Sequence, residues 1–270
     1  MSNYQIGKDV QDILVRLEKV ERQQLAKATS NINRPASKSG LLLPASDFDG
    51  IREILIAEEG VLAVDWTAPF DSPKTWDSGS GGNLFVNGTA QTERESGVCR
   101  ISIHSGNDAD DSDKASRFLE AYYGFGYRNP YSTGKLKVVA EYYINSATIN
   151  DLILDEDGFS AINFWDFQRF NLEAYKKVGE EYVKFGSHAS TLQECKWKYD
   201  EGYGNERCKR ERKEDAVTVT LTSDNNLEKG QRANVFVGIW SGLTLWTNDY
   251  GFQTYNSCNV RLDKVTASIV

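Results

Sequence analysis

Beyond residue 40 the chain shows the period of a strand almost everywhere and the period of a helix almost nowhere. In Ala216–Thr222 the apolar Val217, Val219 and Leu221 alternate with Thr218, Thr220 and Thr222. A spacing of two puts each set on its own face of an extended segment. Similar β-rich runs recur at Ile51–Ile56, Val61–Trp66, Asn83–Val86, Val98–His104, Lys135–Ile144, Ser160–Phe167, Phe170–Lys176, Tyr182–Phe185, Leu192–Tyr199, Ala233–Trp240 and Val260–Val270. Turn-forming Gly, Asn, Asp and Ser clusters separate them, and Asn87-Gly88 reads as a tight turn between two strands. One segment departs from the pattern. Phe118, Leu119 and Tyr122 stand at helical spacing, which predicts a helix over Ser112–Tyr123. Strands without alternating helices argue against a parallel α/β sheet. They predict a mostly β chain whose residues 41–270 form an antiparallel β-sandwich of the jelly-roll, lectin-like kind.

The first 28 residues are different. Ile6, Val10, Ile13, Leu17 and Val20 follow each other at intervals of 4, 3, 4 and 3, the a/d seam of a coiled coil. About two and a half heptads are marginal as a lone helix in water, so this segment needs a packing partner. The expectation is a short N-terminal coiled-coil-like helix over residues 1–28 that makes a homo-oligomer, with residues 29–40 (TSNINRPASKSG) as linker. Leu and Val at a, with β-branched residues at d, lean toward more than two strands.

The net charge of −8, from 39 acidic and 31 basic residues, disfavours nucleic acid and anionic lipid as partners. No apolar run reaches the 18 residues that a membrane helix needs, so no membrane insertion is expected. The opening residues lack the pattern of a secretory signal, and the expectation is synthesis in the cytosol. Asn234–Gly242 (NVFVGIWSG) followed by Asn259–Val270 (NVRLDKVTASIV) resembles the last two strands of jelly-roll carbohydrate-binding and lectin-like domains. The resemblance covers about the last 40 residues, is generic, and implies an architecture with no particular family.

Side chains that could carry chemistry are few. Histidine is the usual partner of a nucleophile, and only His104 and His188 are present, without a GxSxG elbow. Acids beside aromatics, Asp65, Glu141, Asp166 and Glu173, could supply the carboxylate pair of a polysaccharide hydrolase or lyase, the third reading considered. Asp108, Asp110, Asp111 and Asp113 form the one dense set of hard oxygen ligands. If any cofactor binds, calcium there is the expectation.

Aromatics give the better binding signal. Tyr123, Phe125, Tyr127 and Tyr131 stand among glycines beside Arg128 and Asn129, and flat rings with polar neighbours suit a sugar. A second cluster holds Trp240, Trp246, Tyr250, Phe252 and Tyr255. The mixed charges of Lys209–Asp215 read as a solvated sheet edge. Cys195 and Cys208 fall opposite each other if Leu192–Tyr199 and Arg207–Glu214 form a hairpin, with a disulfide wherever the medium oxidises. The function expected is non-enzymatic recognition of a glycan or a surface through aromatic loops. The alternative is a structural or assembly protein whose N-terminal helix docks into a larger complex.

Overall fold

The computed structural model describes residues 36–37, 40–41, 53–54, 63–70, 72–81, 86–107, 113–130, 132–155, 161–179, 181–198, 206–248 and 250–270. Every regular element among them is a strand: β1 (Ala36–Ser37), β2 (Gly40–Leu41), β3 (Glu53–Ile54), β4 (Ala63–Thr67), β5 (Pro73–Gly81), β6 (Val86–Glu93), β7 (Val98–Asn107), β8 (Asp113–Arg128), β9 (Gly134–Asp155), β10 (Ala161–Val178), β11 (Glu181–Lys198), β12 (Glu206–Leu227), β13 (Arg232–Asn248) and β14 (Tyr250–Ile269). Among the described residues no helix is long and apolar enough to cross a membrane. The heptad seam of residues 1–28 lies outside them. Within the expected linker, β1 and β2 pair as a two-residue ladder.

The remaining strands form two sheets. Sheet 1 runs β11-β10-β13-β8-β3, with β5 also on β8. Sheet 2 runs β12-β9-β14-β7-β6, with β4 also on β14. All pairings in them are antiparallel except the short β3–β8 contact. From β7 onward the chain alternates between the sheets, apart from the β10–β11 hairpin. Each inner face is therefore assembled from strands far apart in sequence.

The alternation read from the sequence sets which residues face inward. Val219 and Leu221 of β12 are buried while Thr218, Thr220 and Thr222 are exposed. Ile101 and Ile103 of β7, Val138 and Tyr142 of β9, Phe170 and Leu172 of β10, and Val237 and Ile239 of β13 meet between the sheets in one cluster. Burying each such side chain contributes about 1.5–3 kcal/mol. β12, an edge of sheet 2, carries the mixed charges of Lys209–Asp215 along its length, which discourages pairing with another chain.

Three expectations need correction. Ser112–Tyr123 is not helical, because β8 continues through it as a strand. Leu119, Ala121 and Tyr123 face the core, and Phe118 and Tyr122 pack on the outside of sheet 1. A strand apolar on both faces loses its alternation, and helical spacing then arises by accident. Asn87-Gly88 is not a turn either but sits inside β6, opposite His104 and Ile103. A Cβ on Gly88 would stand 2.6 Å from Leu119 Cδ1, so the glycine serves close sheet packing. Finally, Ser160–Phe167 and Phe170–Lys176 join into the single strand β10, with register shifts against β11 between Gln168 and Arg169 and between Ala174 and Tyr175. Bulges re-aim a strand without ending it.

The cysteine hairpin is replaced by a crossing. Cys195 and Cys208 form a disulfide with a Cα–Cα distance of 6.1 Å. However, β11 pairs with β10 and β12 with β9, so the bond joins the two sheets. A hairpin would also have set Lys196 against Arg207, an unfavourable like-charge pair. The crossing avoids that contact. Cys99 and Cys258 remain free thiols inside the core.

Candidate functional site

The loop aromatics expected at a ligand surface fill the core instead. Tyr123, Phe125 and Tyr127 are buried between the sheets. The Tyr123 hydroxyl donates to the carbonyls of Glu93 and Val98 at 2.9 and 3.0 Å, which explains why a tyrosine is tolerated there. Asn129 is buried and donates to the carbonyls of Ser132 and Leu227, tying the strand end to its neighbours. Arg128 is exposed, opposite Arg232. Tyr131, Asp108, Asp110 and Asp111 lie outside the described residues, and Asp113 begins β8 opposite Thr247. Among the described residues no three acidic, histidine or cysteine side chains converge as metal ligands.

Two faces remain. The outside of sheet 1 carries a second aromatic layer of Phe118, Trp165, Phe167 and Trp240. The Arg169 guanidinium lies 4.8 Å from the Phe167 ring centroid and 5.1 Å from that of Trp165, a cation–π cover. Two buried carboxylates stand on this face. Asn171 Nδ2 donates to Glu120 Oε1 at 2.8 Å, and Lys184 Nζ donates to Glu173 Oε1 at 2.7 Å. Trp165 and Trp240 keep only 6 % and 5 % of their surface exposed. The Trp165 and Trp240 rings are thus nearly closed to a ligand.

The outside of sheet 2 is open. Strand register lines up His104, Tyr255 and Asn150 in one row across β7, β14 and β9. The next row holds Gly106, Gln253, Leu152 and, on β12, Arg207. Together with Ser105 and Thr254 these side chains line a cleft of about 580 Å³, within the size range of small-ligand pockets. Tyr255 is held against His104 with ring centroids 4.8 Å apart, yet 42 % of it stays exposed. Arg207 Nε donates to Asn150 Oδ1 at 2.9 Å, and Ser102 Oγ contacts His104 Nε2 at 2.6 Å. The cleft thus combines one accessible aromatic ring, two side-chain amides and one guanidinium.

Beneath it lies a buried acid pair. Thr254, in the cleft, donates its hydroxyl to Asp151 Oδ1, and Asn256 donates to Asp166 Oδ1. Asp151 and Asp166 contact each other across the two sheets, while Asp151 Oδ2 and Asp166 Oδ2 receive no other donor among the described residues. Asp166 is the more readily protonated of the two, and its proton bridges the pair. Burial, with the neighbouring Asp151 charge second, pushes Asp166 well above the ordinary carboxylate range. Burial pushes Asp151 up to about 7, against the lowering bonds from Thr254 and Asp166. Gln168 Nε2 adds bonds to Asn256 Oδ1 at 2.8 Å and to the Thr148 carbonyl at 3.0 Å. The polar seam therefore joins the sheets beside the disulfide, since Cys195 is opposite Asp166 and Cys208 opposite Asp151.

Of the other acids read from the sequence, Glu141 is exposed on β9 opposite Thr218 and Lys264, and two are engaged elsewhere. Asp65 pairs with Lys264 at 2.8 Å and accepts from Thr266, and Glu173 is bound to Lys184 and the Tyr175 hydroxyl. Of the cleft residues, Tyr255 belonged to the second aromatic cluster of the sequence. Asn150, Arg207 and Gln253 carried no sequence signal, because separate strands far apart in the chain bring them together.

No protein-family description matches the chain, and no curated protein matches it either. Solved structures give remote matches. One is a carbohydrate-binding module of the β-sandwich superfamily, at 10 % identity and a TM-score of 0.19, covering 65 % of this chain and 56 % of that one. This chain therefore spans little more than half of that structure. A second is the C-terminal module of a marine laminarinase from Zobellia galactanivorans, at 11 % identity and a TM-score of 0.20, covering 72 % of this chain and 99 % of that one. A third is the family 11 carbohydrate-binding module of a Clostridium thermocellum cellulosomal cellulase, at 7 % identity and a TM-score of 0.23, covering 82 % and 97 %. Scores at this level carry no argument about ligand or residue roles.

Proposed function

We propose that this chain is a non-enzymatic recognition protein that binds carbohydrate in the cleft on the outside of sheet 2. The observation that carries the reading is Tyr255, whose ring is fixed by His104 but 42 % exposed among the side chains of Asn150, Gln253 and Arg207. A sugar offers an apolar face to an aromatic ring and hydroxyls to planar amides, and few other ligand classes need both. Binding is favoured over hydrolysis because Asp65 and Glu173 are held in ion pairs and Asp151 and Asp166 are buried beneath the cleft. We further propose that the segment 1–28 gathers several copies, so that weak single sites add in avidity, on a sandwich wound as a jelly roll.

The test is a glycan array of neutral and acidic glycans, probed with the intact protein and with Tyr255→Ala. Binding by the intact protein that the variant loses, with an unchanged unfolding midpoint, is the expected result. Wild-type binding to no glycan, or undiminished binding by the variant, would refute the assignment.

A further inference from the structure

The charge of the cleft separates it from the rest of the molecule. The chain as a whole is acidic, at −8, yet among the described residues no Asp or Glu lines the cleft, and Arg207 does. Its Nε donates to Asn150 Oδ1 at 2.9 Å, and the terminal nitrogens take no partner among the described residues. Lys209, the next residue outward on β12, is already paired with Glu211 at 2.8 Å. The nearest acid below, Asp151, is bound to Thr254 and holds its proton up to about pH 7. The cleft therefore presents one guanidinium, oriented by Asn150, with no ionised carboxylate opposing it among the described residues in slightly acidic solution.

A guanidinium fixed through Nε keeps its two terminal nitrogens for a paired contact with a planar anion, which a carboxylate fits. Arg207 belongs to the row next to Tyr255, one strand beyond the shared neighbour β9. Their backbones stand two strand spacings and two residues apart, roughly 12 Å, and Arg207 closes much of that gap by reaching Asn150, the cross-strand neighbour of Tyr255. We propose that the cleft is selective for a carboxylated sugar, the residue of a hexuronic or sialic acid whose ring lies on Tyr255 while its carboxylate is taken by Arg207. This rests on the carbohydrate reading above and adds the ligand class.

The experiment is isothermal titration of the full chain at about pH 6. The probes are trigalacturonic acid against its methyl ester, and 3′-sialyllactose against lactose. Arg207→Gln and Tyr255→Ala serve as variants. Charge-assisted bonds support a preference for the acid over its neutral counterpart of about tenfold or more. The expected result is that preference in one of the two ligand pairs, its loss in Arg207→Gln with residual binding of the neutral form, and loss of both forms in Tyr255→Ala. The pair that shows it tells uronic from sialic acid. Equal binding of acid and neutral forms would overturn this inference and leave the carbohydrate reading standing. A preference that survives in Arg207→Gln would overturn the role of Arg207. Failure of every probe, with no hit on the glycan array, would overturn the carbohydrate reading itself.

Discussion

The acid pair inside the sandwich makes stability depend on pH in an unusual direction. Asp151 is raised from the ordinary 3.8 to about 7, and burial is the main cause. Its folded form thus holds a proton that its unfolded form has already lost. Where the native state binds more protons than the unfolded state, stability falls as pH rises. The loss begins near pH 4, accumulates up to about pH 7 and is complete above it. A shift of about 3 units corresponds to about 4 kcal/mol in full, of which roughly 3 kcal/mol falls between about pH 5 and pH 8. Asp166, raised further and for the same reason, adds in the same direction. The perturbation that isolates the effect is the double variant Asp151→Asn/Asp166→Asn, which keeps a donor and an acceptor in the seam but cannot titrate. Urea unfolding under non-reducing conditions across this pH range should show the wild type losing stability as pH rises and the variant losing much less. Parallel profiles for the two proteins would refute the raised Asp151, whatever their absolute stabilities.

Reducing the Cys195–Cys208 bond, or Cys208→Ser, should lower stability by about 3 kcal/mol, since it reopens a loop of 13 residues in the unfolded chain. Non-reducing peptide mapping that links Cys195 to Cys99 or Cys258 would overturn the sheet crossing. Tyr127→Ala should cost about 3–5 kcal/mol in urea unfolding because the ring is buried in the core; a stable variant that loses ligand would restore the loop reading. Deleting residues 1–28 should turn a trimer or tetramer into a folded monomer by light scattering, and a full-length protein that is monomeric at micromolar concentration would refute the coiled-coil seam.

The sandwich was legible because its signal is local. Val217, Val219 and Leu221 declare a buried face within seven residues, and the charges at Lys209–Asp215 declare an edge within the same strand. The site was not legible, and the reason is the same antiparallel order. His104, Asn150, Arg207 and Tyr255 become neighbours only when β7, β9, β12 and β14 are placed side by side. The aromatic run Tyr122–Tyr127 misled for a related reason. Rings among glycines suggest an exposed loop, but β8 is covered on both faces, so Tyr123 and Tyr127 pack inside and Tyr122 packs against Phe236 outside. Composition alone cannot tell a strand with two packed faces from a loop with rings on show.

A buried polar seam is an odd choice for a sandwich interior, since well-packed apolar residues would usually be no less stable. Its position gives a reason. Asp151 lies between Cys208 on β12 and Thr254 on β14, and Thr254 reaches the cleft. A covalent bond, a shared proton and the Thr254 hydroxyl thus form one continuous path from sheet 1 to the floor beneath Tyr255. Packed apolar contacts hold the sheets together, and the covalent and hydrogen bonds of the seam add fixed direction at this one place. The seam anchors to sheet 1 the strands β9 and β14 that carry Asn150, Gln253 and Tyr255, through Asp151 and Thr254 beside them. A site fixed before its ligand arrives loses less freedom on binding. On this argument the disulfide and the acid pair should affect affinity as well as stability. Reduction that weakens binding in the cleft while the chain stays folded is the outcome that this coupling requires.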